Sequence, residues 1–236
     1  EKSKMTSFFE GNNTCTITLN DGKFIRAKKI IIATGGYAGH EIGYLRSRLL
    51  PIRTSIAVTS PLSNGIETII RPKFAFSDDR RSGNYYRLTS NNRLLWGRGI
   101  SASGAPNRHT LERLARKDIN YFFPSLKELE GTSEINFDFV WSGNMAYSKS
   151  MMPYVGRLTP RTYALTGFGG HGMNTAPAAA IVLAESLLGI SNRISSFKKV
   201  PLKWNGYKFG PFAAELIYKS MSVKDAIEMS LSRMRQ

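Results

Sequence analysis

Residues 163–189 read YALTGFGGHGMNTAPAAAIVLAESLLG, and the fold is decided on this stretch. A short β-type run, Tyr163–Thr166, enters a loop with glycines at 167, 169, 170 and 172, and a helix follows. Glycine lacks a Cβ, tolerates positive φ and lets backbone N–H groups approach another molecule closely. Pro177 is expected near the first turn of the helix, where a missing N–H costs nothing, and Gly189 just past its end. Strand, glycine loop and helix N-terminus together offer free N–H donors and the positive end of a helix dipole to an electron-rich group. The same residues also read as a tight strand-to-helix turn and nothing more, because a glycine motif alone is weak evidence.

A second stretch of the same kind strengthens the first reading. Residues 28–33, KKIIIA, form a short continuous apolar strand of the sort buried on both faces of a parallel sheet. It runs into Thr34-Gly35-Gly36-Tyr37-Ala38-Gly39. In open α/β sheets ligands lie beyond the carboxyl ends of the strands. The two loops therefore define one set of candidate binding residues: Ala33, Thr34, Gly35 and Gly36 from the first, and Gly167, Phe168, Gly169, Gly170, His171, Gly172 and Met173 from the second.

Outside the loops the pattern changes. Thr14–Leu19 alternates, and Asn20-Asp21-Gly22 marks a hairpin. A short helix is expected over 41–50, ended by Pro51. Residues 52–59 alternate as a strand, and 84–89 with 93–97 flank a Ser90-Asn91-Asn92 turn. Residues 107–123 form an amphipathic helix with Leu111, Leu114, Ala115, Ile119 and Phe122 on one face. A strand over 134–142 and a helix over 213–234 complete the reading. The fold class is mixed α/β (α+β). Residues 1–44 and 151–236 are expected to form one discontinuous domain, and 45–150 an inserted, mainly antiparallel sheet domain.

The chain has 236 residues, 42% hydrophobic and 21% charged, which suits one large or two smaller globular domains. No apolar run approaches the ~18 residues needed to span a bilayer. A net charge of +16 raises nucleic acid as a partner. The basic residues are scattered, however, and no zinc spacing, helix-turn-helix signature or RNP-type aromatic motif accompanies them, so they read as a solvated surface. The single Cys15 excludes an internal disulfide and a cysteine-based metal cluster. It is compatible with a reducing cytoplasm, the location expected, and no metal is expected.

Four further segments carry a family resemblance: Tyr85-Tyr86-Arg87-Leu88-Thr89 with Asn91–Gly97, Trp141-Ser142-Gly143-Asn144, Met152-Pro153-Tyr154-Val155-Gly156-Arg157, and Gly167–Asn174. With the strand ending at Gly39, they resemble the C-terminal half of the FAD-dependent D-amino-acid-oxidase superfamily. Within it they are most similar to the gamma-glutamylputrescine oxidoreductase branch. The resemblance covers roughly residues 14–220. It implies a partial FAD-binding Rossmann-like domain and an inserted substrate domain. Family members also carry a Gly-x-Gly-x-x-Gly turn in an N-terminal βαβ unit. No such turn occurs in the N-terminal part of this chain, so the chain reads as the C-terminal part of a longer oxidoreductase, with the N-terminal dinucleotide motif missing.

The resemblance implies oxidation of an amine C–N bond by hydride transfer to FAD, with oxygen or another species as electron acceptor. It places the loop 167–173 against the part of the flavin that becomes negative on reduction. His171 is the nearest base for keeping the amine neutral, or else a structural hydrogen-bonder of the loop. Relatives that oxidise α-amino acids hold the carboxylate with an Arg shortly before the Pro-Tyr-Val-Gly-Arg segment. Residues 144–152 contain no Arg, only Lys149, and a bidentate fork needs Arg. This favours a polyamine-derived substrate such as gamma-glutamylputrescine over an α-amino acid or sarcosine. Arg87 and Arg98 are candidate distal anchors, or cations in surface or structural pairs, the reading favoured for each singly, and Tyr86 and Trp141 are candidate aromatic walls or core residues, core being favoured. Some relatives attach FAD through a Cys in this region; none is present, so FAD is expected to be non-covalent. Outside this class, a catalytically inactive remnant and a basic nucleic-acid-binding protein remain the alternatives.

Overall fold

The computed structural model describes residues 2–233 apart from positions 73, 82 and 105. Along the chain, strands β1 (Met5–Glu10), β2 (Cys15–Leu19) and β3 (Phe24–Ala27) form an antiparallel meander. The expected hairpin turn is present, with Gly22 at φ 79°. Strand β4 (Ile30–Ile32) leads into a 3₁₀ turn at Gly35–Tyr37. The helix expected over 41–50 is a single turn, α1 (Gly43–Arg46), because β5 (Leu49–Thr59) already begins at Leu49 and runs through Pro51. Helix α2 (Ile66–Ile69) and strands β6 (Ala75–Ser77), β7 (Tyr85–Leu88) and β8 (Leu94–Ser101) follow. Asn92 takes the left-handed position of the β7–β8 turn at φ 56°. Helix α3 (Arg108–Phe122) is capped by the Asn107 side chain, which accepts from the Thr110 N–H at 2.8 Å. After α4 (Leu126–Glu130) come β9 (Phe137–Ser148), β10 (Tyr154–Arg157), β11 (Thr162–Thr166), α5 (Gly172–Leu187) and α6 (Phe209–Arg233).

Helix α5 starts at Gly172, five residues ahead of Pro177, so the proline lies inside it rather than at its start. Its missing N–H removes one bond to the preceding turn, at the Met173 carbonyl. The far end follows expectation: Gly189 sits at φ 72°, and the Ile190 N–H reaches back to the Glu185 carbonyl at 2.9 Å.

The chain divides into two compact units. The first comprises the chain up to Ile52 with Asn144–Pro211; the second comprises Arg53–Gly143 with the chain from Phe212 onward. In the first unit β11 pairs antiparallel with β10 and parallel with β4, in the register Thr162–Ile30 and Ala164–Ile32. The parallel pairing brings the carboxyl ends of β4 and β11 side by side. Ile30 and Ile32 enter a core with Cys15, Leu45, Leu49 and Ala164. Ile31, expected to be covered as well, is 49% exposed. Helix α5 covers β10 and β11 instead, with Ala179 and Leu183 packed on Val155.

Glu10 ties β1 to the β10–β11 hairpin. Its carboxylate accepts from the hydroxyls of Thr159 and Thr162 (2.8 Å to the latter) and from the Arg161 N–H at 3.2 Å. These bonds, the one from Thr159 foremost, hold its pKa below the ordinary 4.5. A lowered folded-state pKa contributes stability above that ordinary value and loses it as pH falls through the lowered one. Glu10→Gln is therefore expected to lower the melting temperature at neutral pH and to flatten its fall in acid. An unchanged acid limb in a pH series of thermal melts would contradict the assignment.

The second unit is a five-stranded sheet in the order β6-β7-β8-β5-β9. Paired residues share a face, and successive residues alternate. Tyr86, Trp96 and Ala57 are register partners on one face, where they join Ala115 and Ile119 of α3, Leu126 of α4 and Phe137 in the core. Tyr85, Gly97 and Ile56 lie on the other face, as do Arg87, Leu95 and Val58. Helix α6, expected with the first domain, groups with the second unit through specific bonds. Arg81 reaches Asp225 at 2.8 Å and Glu228 at 2.9 Å, and Glu215 accepts from the Ala102 N–H at 2.8 Å and the Ser101 hydroxyl at 3.0 Å.

Candidate cofactor site

The two glycine loops share one local design. Two residues beyond the last parallel pair stand Thr34 on one strand and Thr166 on the other. Each leads to a Gly-Gly that opens a 3₁₀ turn, Gly35–Tyr37 and Gly169–His171. Gly35 and Gly169 adopt φ of 56° and 58°, and Gly167 adopts 78°. L side chains avoid this region, which accounts for glycine there. Gly36 answers a different need: a Cβ on it would stand 2.8 Å from Asn144. Likewise a Cβ on Gly169 would meet the Tyr147 ring at 2.7 Å. The strand β9 thus lies against both loops, bridged to Phe168 at Tyr147 and held by the Asn144 N–H donating to the Tyr37 hydroxyl at 3.0 Å.

The hydroxyls of Thr34 and Thr166 are buried and have no hydrogen-bond partner among the described residues. Two such orphans at matching positions are unusual, since leaving a buried polar group unsatisfied costs about 1–3 kcal/mol. Beside the first loop lies a cavity of about 450 Å³, lined by Gly35, Gly36, Arg46, Asn144, Tyr207 and Lys208 among others. That volume falls within the range of small-ligand sites, and its cations are Arg46 and Lys208. His171 and Met173 are exposed at the head of α5, Met173 at 96%. The His171 carbonyl accepts from the Thr175 hydroxyl at 2.7 Å, and its imidazole has no partner among the described residues.

The remaining sequence candidates belong to the second unit, where the sheet sorts them by face. Tyr86 is stacked on Trp96 at 5.0 Å between centroids, and burial raises its pKa. Arg98 shares that helix-covered face and donates from Nε to Asp118 of α3 at 2.7 Å. Arg87 is exposed on the opposite face. Trp141, on β9, is 48% exposed. Tyr85, not itself a sequence candidate for substrate contact, lies on the face opposite to Tyr86, across Gly97. A Cβ at Gly97 would meet the Tyr85 ring at 2.0 Å.

Residues 1–186 match the FAD dependent oxidoreductase (DAO) family. The chain belongs to this family. It is 33% identical over 179 residues to gamma-glutamylputrescine oxidoreductase of Escherichia coli, covering 75% of this chain and 40% of that protein. It is 27% identical over 213 residues to a probable oxidoreductase, OrdL, of Haemophilus influenzae, covering 87% of this chain and 47% of the relative. The chain thus spans less than half the length of these curated relatives. Among solved structures, glycine oxidase of Geobacillus kaustophilus superposes with a TM-score of 0.65 at 15% identity, over 86% of this chain and 52% of the enzyme.

The residues present fit the family's FAD. The orphaned hydroxyls of Thr34 and Thr166 supply donors or acceptors awaiting a polar group, and Gly35 faces open space, with nothing within 4 Å of where a Cβ would stand. Thr166, Asn144 and Tyr147 are not among the cofactor-site residues expected from sequence. The repeated Thr-Gly at the two strand ends was the available signal for the first; the other two sit on a strand whose contact with the loops no local pattern reveals. Thr166→Val, an isosteric loss of the hydroxyl, is expected to stabilise the flavin-free protein by about 1 kcal/mol while weakening flavin retention. Thermal melts and flavin absorbance after gel filtration check both; a fall in both would make the hydroxyl structural.

Proposed function

We propose that the protein oxidises the C–N bond of an amine, with non-covalently held FAD as hydride acceptor, and that its substrate is gamma-glutamylputrescine or another polyamine-derived amine. The observation that carries the reading is the pair of glycine loops at neighbouring parallel strand ends, each preceded by an orphaned threonine hydroxyl. Bound FAD supplies the redox chemistry by accepting a hydride equivalent from the carbon beside the amine nitrogen. The chain's own contribution is electrostatic and positional. Backbone N–H groups of Gly167–Met173 and the first turn of α5 favour negative charge placed against them. The unpartnered imidazole of His171 is the group assigned to accept the proton that leaves the amine neutral. Arg87, Tyr85 and Trp141 are assigned to substrate recognition, Arg87 as the anchor of a carboxylate distant from the reacting carbon. The absence of an arginine in 144–152 and the 33% identity to the E. coli enzyme support the polyamine-type substrate. Cys15 is buried in the core with its thiol pKa pushed up by burial, so it is not suited to flavin attachment.

The test is reconstitution with FAD followed by anaerobic mixing with a substrate panel. Flavin absorbance that is released by acid precipitation, and faster bleaching by gamma-glutamylputrescine than by sarcosine, glycine or D-alanine, is the expected result. Failure to bind flavin would overturn the reading as a whole. Preference for sarcosine, glycine or D-alanine would overturn the substrate and favour an amino-acid oxidase.

A further inference from the structure

We propose that the second unit carries an additional binding site for a small organic carboxylate, in a cavity of about 500 Å³ walled by β8, α3 and α6. Arg98 opens onto this cavity from the helix-covered face of the sheet, the face opposite to Tyr85 and Arg87. The site is thus separate from the residues assigned above to substrate recognition.

The acids around the cavity are already committed. Asp118 is paired with Arg98 Nε at 2.7 Å, Asp225 with Arg81 at 2.8 Å, and Asp78 with Arg80 at 2.5 Å. What remains are donors. Arg98 spends only its Nε, leaving the Nη atoms without a partner among the described residues, and Lys117 at the rim has none. Asn84 is 4% exposed and lines the cavity, and its Nδ2 is buried with no hydrogen-bond partner among the described residues. A buried amide left unsatisfied, next to a free guanidinium edge, is completed by an acceptor of negative charge. The guanidinium fork matches a carboxylate. The apolar lining from Phe122, Ile100 and Met229 selects an acid with a carbon chain over a bare inorganic anion.

Calorimetric titration of the protein with glutarate tests this, with inorganic phosphate and putrescine as comparators. Glutarate is expected to bind saturably and in preference to both. Lys117→Ala should weaken it about tenfold by removing one charge-assisted bond, and Ser222→Trp, which fills the cavity from α6, should abolish it. Both positions are exposed, so unchanged melting temperatures verify that the variants fold. Absence of saturable binding, equal binding of phosphate, or glutarate binding untouched by both substitutions would overturn the proposal.

Discussion

Trp96→Ala is expected to destabilise the second unit by about 3–5 kcal/mol, enough to separate its unfolding from that of the first unit in a calorimetric scan. Trp96 is fully buried. Its ring stacks on Tyr86 at 5.0 Å and lies 5.8 Å from Phe122 and 6.2 Å, edge-on, from Phe123. Truncation removes the central plate of this aromatic cluster and leaves a cavity between sheet and helix that neighbouring rings cannot fill. The tryptophan has one flaw, an indole N–H buried with no partner among the described residues. Trp96→Phe keeps a ring and removes that orphan, so it should cost far less than the alanine substitution. Equal losses for the two variants would mean that aromatic packing does not hold this unit together.

Gly36→Ala is expected to give the largest functional effect, loss of bound flavin with a stability cost of about 1–3 kcal/mol. The new methyl group would stand 2.8 Å from the carbonyl oxygen as well as the Cβ of Asn144. Backbone cannot swing aside as a side chain can, and Asn144 is pinned by its N–H bond to the Tyr37 hydroxyl. Relief therefore has to come from displacement of the loop that lines the cavity. Gly35→Ala is the informative contrast. Its Cβ meets nothing within 4 Å, and the penalty is the left-handed φ of 56° alone, about 1–2 kcal/mol. Flavin content per protein for the two variants separates a steric demand from a conformational one. Normal flavin content in Gly36→Ala would detach this loop from the cofactor.

Much of this architecture was legible from local pattern. Both glycine loops, the β2–β3 and β7–β8 hairpins and the amphipathic helix over 107–123 depend on neighbours a few residues apart, and each lies where the sequence places it. Readings stayed open, or missed, where a residue's environment is set across the fold. Tyr85 and Tyr86 are adjacent and chemically alike; only the register with Gly97 and Trp96 determines which one faces outward. Arg98 looks like any strand cation until α3 brings Asp118 to it. The final helix carries no sequence mark of its ties to Arg81 and Ala102. Pro177 pointed to a helix start because proline is favoured there, yet the preceding glycine turn already delivers helical geometry at Gly172. The orphaned hydroxyls of Thr34 and Thr166 are a property of burial and are invisible in composition.

The parallel pairing of β4 with β11 also has a temporal meaning. Its two strands are separated by the entire antiparallel insert, so on the ribosome Ile30–Ile32 emerges long before Thr162–Ala164 exists to pair with it. At synthesis rates of 5–20 residues per second that delay is on the order of ten seconds. Throughout it an apolar strand waits with a bare edge, the situation most prone to wrong association. The sheet of the second unit has all its strands once β9 has emerged, so it can form before β4 finds its parallel partner.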